Sequence, residues 1–198
     1  FLFLTYYLQT TLGYSAVLTG VAFLPMIVAL SITAQLSNVV LMPRLGPRPL
    51  VPVGMLVAAA GLVWMTRLGL NSSYVGHVLG PLVVVGLGVG LIFAPAVNVA
   101  TLGVADHDAG VASALVNTSQ QIGGSVGTAL LNTLAASAAT SFLVGRVASR
   151  HVLALAAVHS YTAVFRDTAA IFVVGAVLTG LTLRSGVATH SSTGPALH

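Results

Sequence analysis

The sequence predicts an all-α bundle of membrane-spanning helices, and three observations carry that prediction. Of its 198 residues 57% are apolar and only 5% are charged, with a mean hydropathy of +1.01. A soluble domain carries about a quarter charged residues, so this composition cannot cover a surface that faces water. The apolar residues gather into runs of about 20 or more, the length that crosses about 30 Å of hydrocarbon. The alternating ten-residue segments of a membrane barrel are missing, and a helix satisfies its own backbone hydrogen bonds inside lipid.

The composition also removes whole classes of chemistry. All seven basic residues are arginine, and the acids are Asp106, Asp108 and Asp167. Without lysine there is no phosphate-cradling P-loop and no Schiff-base chemistry. Without cysteine there is no disulfide, thiolate nucleophile or cysteine-held metal. The pI near 10.1 does not point to nucleic acid, because the arginines are spread from Arg44 to Arg184 instead of clustering. Their place between apolar runs suits loop anchors at a bilayer surface. Neither cofactor nor metal is expected.

Taken in order, Phe1 to about Leu12 is apolar but half a span long, and starts without Met or a polar flank. It is read as the end of a helix whose beginning is missing, so the chain is expected to be a fragment. A signal peptide would need a basic start and a small-residue cleavage site. The second span runs over about 17 to 42, crosses Pro25 and stops at the turn-rich segment Pro43 to Pro49. The third covers about 50 to 70 and ends at Asn71-Ser72-Ser73. The fourth covers about 75 to 102, with Gly86, Gly88, Gly90, Pro81 and Pro95. The fifth runs over about 110 to 144, and the last over about 168 to 183. The unit is thus 1 to 184, five complete spans and one partial, followed by a Ser-, Thr- and Gly-rich tail at 185 to 198 expected to be disordered.

Orientation is weakly encoded. If the 43 to 49 loop faces the cytoplasm, that side holds Arg44, Arg48 and Arg184, and the other holds Arg67, Arg146, Arg150 and Arg166. The short loop carries the greater charge density, which favours placing it inside.

The fifth span is the most informative. At about 100° per residue, Ser113, Asn117, Gln121, Gly124, Thr128 and Asn132 fall on one face, with Gln120 at its margin. An unpaired amide in hydrocarbon costs several kcal/mol, on the order of a lost hydrogen bond, so that face must meet other helices or a water-filled cavity. A single such residue is most often interhelical glue; the stripe as a whole is read as the wall of a solute pathway. Gly123 and Gly127, like Gly86 and Gly90, form small-xxx-small pairs expected to serve helix packing. Pro25 and Pro95 lie inside spans, where each removes a backbone donor and is expected to bend its helix, a static feature or one suited to motion. Asp106 and Asp108 flank His107 and are expected to cap the next helix rather than hold a metal. His151, Arg146, Arg150 and Arg166 are placed in a long connection near lipid headgroups. As the spans are drawn, no carboxylate sits near the middle of one, so a proton-coupling acid is not expected in this chain.

Several of these stretches resemble a known family. Tyr7-Leu8-Gln9, Gly13-Tyr14-Ser15 and the run from Gly20 to Pro25 resemble the start of the carboxy-terminal half of major facilitator superfamily transporters. Arg44-Leu45-Gly46-Pro47-Arg48 resembles part of the superfamily's cytoplasmic loop motif, with Met42-Pro43 where an Asp often precedes it. Gly86-Leu87-Gly88-Val89-Gly90 with Phe93 to Pro95 resembles its next glycine-rich span. Asp108 to Ser113 with Asn117 to Gly127 resembles its most recognisable stretch. The match runs from about 6 to 183 and is nearest to the fourteen-span drug:proton antiporter branch.

That resemblance implies the six-helix carboxy-terminal half of a multidrug exporter, its first helix truncated. It also implies a cytoplasmic 43 to 49 loop and a long external connection at about 145 to 166. The implied partners are the bilayer, protons, a small hydrophobic or cationic substrate and the missing amino-terminal half, in a bacterial cell membrane. Asn117, Gln120, Gln121, Thr128 and Asn132 are then expected to line the pathway, with Arg44, Gly46 and Arg48 anchoring and gating the loop. A passive channel-like or structural membrane protein is the alternative; a membrane enzyme lacks the required groups.

Overall fold

The computed structural model describes residues 1–101, 104–147 and 149–182, and among these every regular element is a helix. The tail expected to be disordered, 185 to 198, lies outside the described residues. Helix α1 (Leu2–Tyr6) continues into a π-helical turn (Tyr7–Thr11). Helix α2 (Ala16–Leu36) starts at Ser15, whose hydroxyl accepts the Leu18 amide at 3.2 Å, and passes through a π turn (Ser37–Leu41) into α3 (Met42–Leu45). Then follow α4 (Pro47–Met65), a π turn (Tyr74–Val78) leading into α5 (Leu79–Thr101), α6 (Ala109–Leu143) and α7 (Arg150–Thr182). Among the described residues five stretches are long and apolar enough to cross a membrane: Ala16–Leu45, Pro47–Met65, Tyr74–Asn98, Ala109–Leu143 and Arg150–Thr182.

Three boundaries depart from the sequence reading. The turn-rich segment at 43 to 49 is almost wholly helical, and the chain reverses at Gly46, whose φ of +74° suits glycine. Pro47 opens α4 because the missing N–H has no partner there in any case. The largest difference is α7, which starts at Arg150 instead of near 168, so most of the expected connection at 145 to 166 is helix. Hydropathy breaks a span at Arg150, His151, His159 and Arg166, but charge does not end a helix, and the intervening Ala, Leu and Val residues favour one. Asp167, expected just before the span, therefore sits in the middle of α7. Asp108 occupies the position before α6, yet its carboxylate makes no capping bond; it lies 3.2 Å from His107 Nε2, with both side chains exposed.

The helices pack in the order α2, α5, α4, α7, α6. Glycines set the spacing. A Cβ at Gly86 would lie 2.5 Å from the Met26 carbonyl, and one at Gly90 2.5 Å from that of Leu30, so α2 and α5 run parallel at backbone contact. Gly88 abuts the backbone of Ala58 and Gly54, and Gly61 abuts Pro81 and Val85, so α4 runs antiparallel to α5. Gly175 rests on Met55 and Gly180 on Pro52, which aligns α7 antiparallel to α4. Between helices in lipid there is no hydrophobic drive to associate, so close van der Waals packing of this kind is the main attraction. Pro25 and Pro95 lie inside α2 and α5, and neither interrupts its helix.

The densest burial surrounds Tyr7, Leu8, Val78, Leu82 and Val164. Two phenols fasten that end: Tyr7 Oη donates to the Gly69 carbonyl at 2.7 Å and Tyr74 Oη to that of Ala22 at 2.6 Å. Tyr161 stands edge-on to Tyr7 at 6.4 Å, tying α7 to the same cluster.

Candidate functional site

Helix α6 is the edge of this row. In Tyr74–Asn98 41% of the most apolar stretch is buried inside the protein, against 6% in Ala109–Leu143. α6 is held chiefly by α7 and touches α5 lightly. Ala135 is its one buried residue among those described.

Two different surfaces are therefore open on α6. Val111, Leu115, Ile122, Val126 and Leu130 are all at least half exposed and line one side at helical spacing. By the same spacing, Asn117, Gln121, Gly124, Thr128 and Asn132 lie roughly opposite. They form an open groove with Gln120, Ser125 and Ala129, lined by α6 residues alone. All the residues that the sequence singled out as polar, Asn117, Gln120, Gln121, Thr128 and Asn132, thus come together, and all are exposed.

Hydrogen bonding separates the amides of the groove from the hydroxyls of the helix. Ser125 Oγ donates to the Ile122 carbonyl at 3.0 Å, Thr133 Oγ1 to Ala129 at 3.0 Å and Thr140 Oγ1 to Ala136 at 2.8 Å. Each of these hydroxyls is satisfied by its own backbone. An amide on a longer stem finds no such partner, and among the described residues the Asn117, Gln120, Gln121 and Asn132 side chains have none. The groove is a row of donors and acceptors that offers hydrogen bonds without fixing a charge.

The glycines of α6 behave unlike those of α5. Gly86 and Gly90 lie against α2, whereas a Cβ at Gly123, Gly124 or Gly127 would meet nothing within 4 Å. The packing partner expected for Gly123 and Gly127 is not supplied by the described residues of this chain. Arg44 and Arg48 are exposed on either side of the buried Gly46, and among the described residues neither is ion-paired. No group of three or more potential metal ligands occurs among the described residues.

Two features escaped the sequence reading. One is the pair of anchoring phenols, Tyr7 and Tyr74, whose signal was their place at span ends, where tyrosine is enriched. The other is the charged pair inside α7, where Arg166 Nε lies 3.2 Å from Asp167 Oδ1. At the opposite end of the row, Arg146 stacks 3.7 Å over the Phe142 ring, which in turn faces His159 at 5.0 Å, clasping α6 to α7 near their connection.

The sequence profile of the Major Facilitator Superfamily matches residues 1–128. A puromycin resistance protein of Streptomyces alboniger is 40% identical over 198 residues, which is 99% of this chain and 39% of the relative. A cephamycin export protein of Amycolatopsis lactamdurans is 38% identical over 135 residues, covering 68% of this chain and 28% of the relative. A tetracenomycin C resistance and export protein of Streptomyces glaucescens is 37% identical over 135 residues, covering 68% and 25%. The chain spans about two-fifths or less of the length of these relatives.

Proposed function

Because the chain belongs to the major facilitator superfamily, a family of multi-pass membrane transporters, we propose that it forms the carboxy-terminal six-helix half of a proton-coupled exporter of hydrophobic, often cationic compounds. The other half of the same transporter faces it, in a bacterial plasma membrane. Relatives named for resistance to puromycin and for export of cephamycin and tetracenomycin C support the substrate class.

The observation that carries the reading is the two-sided exposure of α6. Lipid accepts the face of Leu115, Ile122 and Val126 and rejects that of Asn117, Gln121 and Asn132, where each unpaired amide would cost several kcal/mol, of the order of a lost hydrogen bond. The polar face therefore lines an aqueous, solute-bearing cleft against the other half. Rocking of the two halves about that cleft would expose it alternately to each side. Gly123, Gly124 and Gly127 keep the wall low there, and Arg44, Gly46 and Arg48 form the turn at its cytoplasmic end.

The test is efflux of a fluorescent cationic drug from proteoliposomes holding the protein expressed from its complete reading frame, driven by an imposed pH gradient. Asn117→Leu and Gln121→Leu are expected to lower the export rate by about tenfold each, with insertion unchanged. Wild-type rates in both variants would remove the lining role, and efflux independent of the pH gradient would favour a passive pore.

A further inference from the structure

The α6 groove is rich in hydrogen-bonding groups and empty of charge. None of the residues that line it titrates, and the same is true of all of Ala109–Leu143 and of the neighbouring Leu79–Thr101. The nearest described carboxylate along the chain is that of Asp108. It precedes Asn117 by about two and a half turns, which puts it on the opposite side of the helix axis, and it lies against His107 instead. At the other end Arg146 is engaged over the Phe142 ring. A positive charge in the cleft therefore meets no counter-charge from this wall.

The amides, by contrast, are free to act. Asn117, Gln120 and Gln121 sit at i, i+3 and i+4, so their side chains share one turn, and Asn132 stands about 16 Å further along the axis from Gln121. Between them lie Gly124, Ser125, Thr128 and Ala129, whose short side chains leave the longer amides standing above the floor of the groove. Side chains at i,i+4 can bond amide to amide. Here they do not: among the described residues the side-chain hydrogen bonds of α6 are those of Ser125, Thr133 and Thr140. Each primary amide thus keeps its N–H donors and its acceptor oxygen for a solute. A site built of such groups discriminates against a solute that leaves them unpaired.

We propose that this wall selects for the uncharged polar groups of a solute, its carbonyls, hydroxyls and amides, and contributes nothing to holding a positive charge. Asn117, Gln120 and Gln121 grip one end of the molecule, and Asn132 meets the other end of an elongated one. The assignment rests on the lining role given to these residues above and names what they recognise. A cationic drug is held here by its neutral substituents, and a cation without them passes this wall with no specific contact.

The experiment uses the protein from its complete reading frame in proteoliposomes and compares gradient-driven export of two probes. Chloramphenicol is uncharged and carries hydroxyl and amide groups, whereas tetraphenylphosphonium is a permanent cation without a hydrogen-bonding group. Asn117→Leu and Gln121→Leu are each expected to lower the ratio of kcat/KM for chloramphenicol to that for tetraphenylphosphonium by about tenfold. Asn117→Gln keeps an amide and is expected to hold the ratio within about twofold of the unmodified protein. Gln121→Glu places a carboxylate in the groove and is expected to raise kcat/KM for tetraphenylphosphonium by about tenfold. Equal losses for both probes in the leucine variants would overturn this assignment while leaving the lining role in place. Export of tetraphenylphosphonium without export of chloramphenicol by the unmodified protein would also overturn it. Unchanged export of both probes in both leucine variants would remove the lining role and this assignment together, and export of neither probe by the unmodified protein would remove the exporter reading as well.

Discussion

Helices α5 and α6 carry the same small-residue signature and use it in opposite ways. Gly86, Gly88 and Gly90 of α5 are pressed against backbone on two sides, by α2 and by α4. A Cβ added at Gly123, Gly124 or Gly127 of α6 would meet nothing within 4 Å among the described residues. What separates the two helices is the residues around the glycines: Leu87 and Val89 in one, Gln120, Gln121, Ser125 and Thr128 in the other. A glycine says that something approaches the backbone closely. Its neighbours say what that something is, and the amides of α6 rule out both acyl chains and an apolar helix face.

The largest effect that would break this contrast is at Gly88. A Cβ there collides with the Ala58 amide nitrogen and approaches the Gly54 carbonyl to 2.6 Å, and backbone cannot swing aside as a side chain can. Gly88→Ala gains about 1 kcal/mol of helix propensity but loses about 3 kcal/mol or more to overpacking, and Gly88→Leu should prevent α4 and α5 from docking. Thermal unfolding in detergent would read the first change and protease resistance the second. Native stability in Gly88→Leu would mean that the α4–α5 interface is not the backbone contact described.

Next in size is the reciprocal substitution, Gly124→Leu on α6. Among the described residues nothing lies within 4 Å of a Cβ added there, so the chain itself should keep its unfolding temperature. If the groove faces the opposite half across a cleft, the bulk of a leucine among Asn117, Gln121 and Thr128 should still cut gradient-driven export by about tenfold. Measuring both quantities on one variant separates a packing glycine from a pathway glycine. A fall in stability as large as that of Gly88→Ala would place α6 among the packed helices.

Much of the fold was legible because lipid imposes one dominant rule, that a span must be apolar and about 20 residues long. That rule found the spans that became α2, α4 and α5, and helical spacing found the polar face of α6. It failed on α7. Hydropathy measures transfer into lipid and not helix formation, so it began the last span near 168 and missed the eighteen residues of continuous helix from Arg150 to Asp167. For the same reason it left Asp167 outside the span. It also had no means of distinguishing Gly90 from Gly127, since which helix faces which is decided by residues distant in the chain, such as Met26 and Ala58.

The smallest effect tests whether the contrast extends from packing to hydrogen bonding. Tyr74 Oη reaches from the π turn that leads into α5 to the Ala22 carbonyl of α2 at 2.6 Å, a bond between helices, whereas Thr133 Oγ1 on α6 donates within its own helix at 3.0 Å. Tyr74→Phe keeps the ring and its contact with Tyr14, so the change isolates the hydroxyl. Bonds between helices in membranes contribute about 0.6 kcal/mol on average and up to about 1.7. Thr133→Val forgoes a bond that the helix does not need to hold its neighbours, and its effect should be near zero. Unfolding in detergent should therefore lower the midpoint for Tyr74→Phe by a degree or more than for Thr133→Val, about 0.6 kcal/mol at the average value. Equal shifts would mean that α6 is tied into the bundle by bonds of the same kind as α5, and that its open face reflects something other than a missing partner.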